Sequence, residues 1–275
     1  MLYKFSSTTR TSFDSVIISA FLGLILLTQY QNYFMIISSV LGMFTVISNA
    51  ITASIGDSIV AKSVDDNYHD FKKFVFVYMW VAGFCAICLL VLIQPFMKMW
   101  VGEGLMLDFK MAMLFAIYFY AQTMGDMVFL YRTAAGLWWQ DRIRPIVEAA
   151  VNIVLNFILV MAWGIHGVIL ATIFTLLGIN FLWGAYILFK HYFKRSIKEY
   201  VLMQIKQALV TIVSGAIILA ICKWLPDSLG MFVVRLLLCI GGSNIIFYIF
   251  YRRSTLFKEA TSFGVNIVNV IKKRT

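Results

Sequence analysis

The sequence predicts an all-α, polytopic membrane bundle of about eight transmembrane helices, and three observations carry that prediction. Several apolar runs approach or exceed about 18 residues, long enough to cross the hydrocarbon core of a bilayer as helices. Charged residues make up only 13% of the 275-residue chain, against 61% hydrophobic residues. That is about half the charge fraction of an average soluble domain. The mean hydropathy is +0.87, and the charges cluster between the apolar runs. The same pattern excludes a transmembrane β-barrel, whose strands alternate apolar and polar residues over roughly ten positions.

The runs cover approximately 15–31, 33–55, 74–97, 109–130, 145–163, 166–189, 205–225 and 229–251. An even number of crossings puts both termini on one side. With that side cytoplasmic, all but four of the 23 Lys and Arg residues lie in cytoplasmic segments, the exceptions being Lys98, Lys110, Lys223 and Arg235. The positive-inside rule therefore sets both termini in the cytoplasm. The net charge of +10 is then a topology signal, and no nucleic-acid partner is expected. The polar first residues lack an apolar h-region, so no cleavable signal peptide is expected.

Short outer turns are expected at Gln29–Asn32, Met99–Leu107, Gly164–Gly167 and Leu225–Ser228. The longer inner connection Gly56–Lys73, acidic in its middle and basic at its end, reads as a partly helical segment lying on the membrane surface. Hairpins of antiparallel helices follow from this rhythm of short and long loops.

The stretch from Ala134 to Thr175 organises the rest. Pro145 fits the first position of a helix, where its missing N–H would have no partner anyway. From there Arg144, Glu148, Asn152 and Asn156 recur every four residues, which puts them in one polar stripe on an otherwise apolar rod. A charge facing lipid costs several kcal/mol, so the stripe must face protein or water. Gln122 and Asp126 share a face in the same way. Asp126 sits about 25 Å along its span from the outer end at 1.5 Å per residue. Asp14 lies low on the first span. These carboxylates, with Arg132, Arg142 and Arg144 nearby, read either as a water-filled cavity for a charged substrate or coupling ion, or as interfacial salt bridges pinning helix ends.

Other polar residues read more plainly. Asn49, Asn180 and Asn244 are candidates for interhelical hydrogen bonds. Arg235 is the one basic residue set well inside a span, and it either snorkels outward or meets an anionic headgroup. His166 caps an outer turn. Cys85 and Cys88, despite their redox-like spacing, read as small packing residues in a span. No His, Asp, Glu or Cys set has metal-ligand spacing and no catalytic arrangement stands out. The expectation is a non-enzyme with no cofactor and no metal.

Three segments carry a family resemblance: FDSVIISAFLGLILLTQYQNYFMIISSV (13–40), NAITASIGDSI (49–59), and AAGLWWQDRIRPIVEAAVNIVLNFILV (134–160) followed by GIHGVILATI (164–173). They resemble polysaccharide flippases, the Wzx-like O-antigen and capsule-unit exporters of the multidrug/oligosaccharidyl-lipid/polysaccharide superfamily. The resemblance covers nearly the whole chain but only the C-terminal portion of that architecture. It implies that residues 1–190 form the second six-helix lobe of a two-lobe transporter, that 191–251 add two further helices, and that 252–275 form a basic cytoplasmic tail. It further implies alternating-access transport of an undecaprenyl-diphosphate-linked oligosaccharide across the bacterial cytoplasmic membrane. A separate N-terminal lobe or a second copy would complete the transporter, and membrane lipids would be its other partners.

In that reading Asp14, Gln122, Asp126, Arg144, Glu148, Asn152 and Asn156 line the substrate or ion cavity. Arg235 and Asn244 lie at a headgroup or lipid-tail groove formed by the last two helices. Three alternatives stand beside it: an ion-coupled drug or cation exporter half of the same fold, a membrane-embedded glycosyl- or acyltransferase, and a scaffold for polysaccharide assembly.

Overall fold

The computed structural model describes residues 2–226 and 228–262, with side chains from residue 12 onward. The basic residues near the N-terminus and most of the 252–275 tail therefore lie outside the described side chains. Among the described residues the secondary structure is helical, with no strand. The order is α1 (Leu2–Leu22), α2 (Leu24–Ala61), α3 (Val64–Trp100), α4 (Phe109–Met124), α5 (Asp126–Ala134), the short α6 (Trp138–Asp141), α7 (Arg144–Thr175), α8 (Gly184–Leu188), α9 (Lys198–Cys222) and α10 (Leu229–Tyr251). Wide π-type turns at Leu176–Trp183 and Phe189–Phe193 flank α8. Six helical stretches are long and apolar enough to cross a membrane, and the apolar part of α1, Ser12–Leu22, is a shorter seventh. The chain is a polytopic helical membrane bundle.

Two glycines decide the hairpins. Gly164 interrupts α7 with φ 56° and ψ −134°, a conformation that residues with a Cβ adopt only under strain. The chain doubles back there, as the expected turn at 164–167 requires. Its two limbs come so close that a Cβ on Gly167 would clash with the Leu159 carbonyl oxygen. The second hairpin corrects the sequence reading. The outer turn expected at Gln29–Asn32 lies within α2, and the chain instead turns at Gly23 (φ 88°, ψ 168°). Ser15 and Gln31, equidistant from Gly23 in sequence, meet across the hairpin at 2.7 Å. The polar residues that looked like a turn are spent on tertiary bonds, with the Gln29 amide reaching the Gly104 carbonyl at 3.3 Å.

Gly56–Lys73 is likewise not a surface-lying segment. α2 and α3 run straight on and meet in a tight turn, where the Ser63 hydroxyl caps α3 by accepting from the Asp66 N–H at 3.1 Å and Asp65 and Asp66 complement the helix dipole. These helices, 38 and 37 residues long, extend about 55 Å each, well beyond the roughly 30 Å of hydrocarbon. The end of this helix pair that carries Lys62, Lys72 and Lys73 is here termed the basic end.

The core has one large cluster shared by α1–α5, α7, α8, the π-type turns and Tyr200 of α9, and a small satellite of Ile87, Val91, Ile218, Cys222, Cys239 and Phe247. That satellite fastens α9 and α10 to the face of α3. Gln207 donates to the Phe76 carbonyl (3.2 Å) and the Trp80 indole N–H to Asn244 (2.8 Å). α2 stands at the edge, and of its 38 residues only Tyr30, Tyr33, Ile37, Phe44 and Ile55 are buried.

Candidate functional site: a polar ladder and a groove

The structure divides the sequence-derived site residues between two places. The first is a closed ladder of polar side chains. Arg144, Glu148, Asn152 and Asn156 are all buried, along with Asp14, Thr172 and Thr175. The stripe does form, and its four side chains are closed off from solvent. α1 covers one side of it and the returning limb after Gly164 covers the other.

At the far end, Asn156 Nδ2 donates to Asp14 Oδ1 at 2.7 Å and to Asn152 Oδ1 at 3.2 Å. Thr172 Oγ1 donates to the second Asp14 oxygen at 3.1 Å, and Asn152 Nδ2 reaches the hydroxyls of Thr172 and Thr175 at 3.3 Å each. Toward the basic end, Asn180 Nδ2 bonds both Glu148 oxygens at 3.3 and 3.2 Å. Arg144 Nη1 bonds Glu148 at 2.8 Å, and its Nε reaches Asp141 Oδ1 at 2.6 Å. Arg132 Nε completes the run on Asp141 Oδ2 at 3.2 Å.

A buried carboxylate is tolerated only with donors aimed at it, and Asp14, Asp141 and Glu148 each have them. Two of the three arginines named beside these carboxylates, Arg132 and Arg144, are thereby committed to internal ion pairs. Arg142 instead stacks over the Trp139 ring at 3.5 Å on the surface.

Thr172, Thr175 and Asn180 were not singled out as site residues on the sequence. The signal was there as symmetry about the turn. Glu148 and Asn180 are equidistant from Gly164, and so are Asn156 and Thr172. An antiparallel hairpin must bring such pairs side by side. Glycines also admit the neighbouring elements: a Cβ on Gly125 would clash with Asn180 Oδ1, and one on Gly184 with Arg132 Nη1.

Asp126 belongs to the second place. It does not join Asp14 and Glu148, because its side chain turns to α3, where the Tyr78 hydroxyl donates a short hydrogen bond to Oδ2. Gln122 stands one turn earlier, half-buried. Tyr78 in turn meets the Ser48 hydroxyl at 3.5 Å and packs edge-on against Phe44 at 5.1 Å. Phe44 and Tyr78 form the inner wall of a groove of about 640 Å³ between the basic halves of α2 and α3. Its sides are apolar, contributed by Ile47, Ile51, Phe74, Val77 and Val81, and its mouth carries Asp57, Lys62, Asp70 and Lys73. Asp70 holds both lysines, Lys62 at 2.6 Å and Lys73 at 2.9 Å. Ala260, from the segment after α10, lines the same mouth, and Phe257 anchors that segment by stacking on Trp80 at 5.5 Å.

Arg235 and Asn244 are turned to internal bonds. Arg235 Nη2 donates to the Leu225 carbonyl at 2.6 Å, fixing the α9–α10 turn, while Asn244 holds Trp80. Phe232 of α10 reaches an apolar groove of about 510 Å³ between the other halves of α2 and α3. His166 ties the Gly164 turn to the start of α4 through Asp108 at 3.1 Å. Among the described residues no three His, Cys, Asp or Glu side chains converge as metal ligands. No protein-family model, curated protein or solved structure matches this chain.

Proposed function

We propose that the chain is a component of a membrane flippase that moves an undecaprenyl-diphosphate-linked oligosaccharide across the bacterial cytoplasmic membrane for surface polysaccharide synthesis. A separate N-terminal lobe or a second copy completes it, and the basic end faces the cytoplasm. The observation that carries this reading is the groove between α2 and α3. It combines apolar sides with a charged mouth of Lys62, Lys73, Asp57 and Asp70, which suits a lipid with a hydrocarbon tail and a phosphate head that takes the two lysines over from Asp70. The resemblance of residues 13–40, 49–59 and 134–173 to polysaccharide flippases supports the same substrate class. In this reading the polar ladder is the rigid spine of the lobe, and α2, sparsely buried at the edge, is the element along which substrate moves.

The test is reconstitution into liposomes with a fluorescent undecaprenyl-diphosphate glycan, with and without a six-helix partner lobe. Transport that requires the pair, and that falls about tenfold when Lys62 and Lys73 are both changed to Glu, is the expected result. Robust transport by a demonstrated monomer would overturn the need for completion. Absence of transport in every pairing would overturn the flippase.

A further inference from the structure

The cations of this chain divide by the partner each one meets. Lys62 and Lys73 share Asp70, Lys72 bonds Glu199 at 3.0 Å, and Arg195 bonds Asp65 at 2.9 Å. Two others sit on aromatic rings instead. The Arg142 guanidinium lies 3.5 Å over the Trp139 ring, and its Nη1 donates to the Trp139 carbonyl at 3.4 Å. The Lys190 ammonium lies 5.3 Å over the ring of Tyr186. Among the described residues neither of these cations meets a carboxylate. Asp141, next to Arg142 in sequence, is taken from the inside by Arg132 and Arg144. Its charge is matched there, and that of Arg142 is left facing outward.

A ring covers only the face of a guanidinium, so the planar N–H edge of Arg142 keeps its charge and its donors. That edge matches a phosphate. The surroundings are amphipathic. Trp138 and Trp139 are 57% and 73% exposed, and Ile143 and Ile146, three residues apart where α7 begins, are each more than half exposed. α7 continues from here into its apolar run, which puts these side chains where the chain enters the bilayer, the level at which tryptophan is enriched. α6 packs against α8, and Tyr186 and Lys190 belong to α8 and the turn that follows it. Two ring-held cations thus border a surface of indole and branched apolar groups. An amphiphile with an anionic head fits it, with phosphate on the cations and glycerol and upper acyl chain on Trp139 and Ile143. A zwitterionic head would bring its own ammonium toward the same cations. We infer that the α6–α8 surface binds the headgroup of an anionic phospholipid, with Arg142 as the phosphate donor and Lys190 as the second cation. The inference does not depend on what the chain transports.

The full chain is reconstituted in phosphatidylcholine vesicles containing a minor share of lipid brominated high on its acyl chains. The brominated lipid carries either a phosphatidylglycerol or a phosphatidylcholine head, and quenching of tryptophan fluorescence reports its binding. The glycerol head is expected to bind more tightly than the choline head. Arg142→Gln is expected to cut that preference about fivefold, the effect of one cation at a membrane surface, and Lys190→Gln to cut it as well. Arg142→Lys keeps the charge on a side chain that need not stack, and should retain most of the preference. Trp139→Phe should remove the part of the quenching that distinguishes the two heads, because Trp139 is its reporter. Arg253→Gln deletes an exposed cation on another element and is expected to leave the preference unchanged. Equal quenching by both heads means annular lipid only and overturns the inference. So does an equal loss in the Arg253→Gln variant, which would assign the effect to diffuse surface charge. Relief of the quenching by inorganic phosphate would assign the cations to a soluble anion and overturn it too.

Discussion

Asn156 donates a 2.7 Å hydrogen bond to Asp14, joining the first helix of the chain to the helix that starts at Arg144. Both side chains are buried, so the bond replaces water that each would otherwise demand. It gives the Asn156 amide nitrogen and the Asp14 carboxylate a partner where water is shut out.

Asn156→Leu removes that donor from the buried Asp14 carboxylate, which keeps its bond from Thr172. The expected loss is about 1–3 kcal/mol of stability, the usual penalty for a buried acceptor stripped of a partner. Thermal unfolding in mild detergent should show a lower midpoint than wild type. An unchanged midpoint would mean that the α1–α7 contact is held by apolar packing alone.

At the other end of the ladder, Arg144 is fully buried between Asp141 and Glu148. Arg144→Ala leaves two carboxylates facing each other with their main cation gone, at an expected cost of about 3–5 kcal/mol. Glu148→Gln keeps the shape and one acceptor, and is expected to be milder. The order of the two variants in melting temperature is the measurement, and a reversed order would contradict the pairing.

Gly164 and Gly167 are expected to resist substitution for different reasons. Gly164→Ala forces a side chain onto φ 56°, ψ −134°, a strain of about 1–3 kcal/mol. Gly167→Ala drives a methyl group into the backbone carbonyl of Leu159, and should be the more damaging. Gly178 has open space around its Cβ position, so Gly178→Ala serves as the tolerated control. The readout is the fraction of protein eluting as a single species.

Ile51→Trp fills the inner groove from α2, where the side chain is half-buried. It is expected to reduce transport about tenfold with little change in unfolding midpoint. A parallel fall in both would assign Ile51 to packing.

Orientation has its own check. Cysteine placed at Ser228 should react with an impermeant reagent from outside the cell, and cysteine at Ser254 only after permeabilisation. The inverse pattern would put the basic end outside.

Read alone, the sequence determined the class of fold and the local geometry. Apolar runs of membrane length require helices because backbone groups in hydrocarbon have no water to bond. Pro145 marked the start of the crucial helix to within one residue of Arg144, where α7 begins, and Gly164 marked its turn. The four-residue spacing put Arg144, Glu148, Asn152 and Asn156 on one face. What that face meets was decided only by tertiary structure. Water in a cavity and complementary side chains satisfy a buried polar stripe equally well, and the chosen partners, Asp14 and Thr172 among them, lie far away in sequence. The same holds for the first hairpin, whose polar residues 29–32 looked like a turn but bond to Gly104 and Ser15 instead, leaving Gly23 to reverse the chain. The groove was the least legible feature of all. Periodicity names the residues on a helix face, but the gap between two faces depends on how far apart the rest of the bundle holds them.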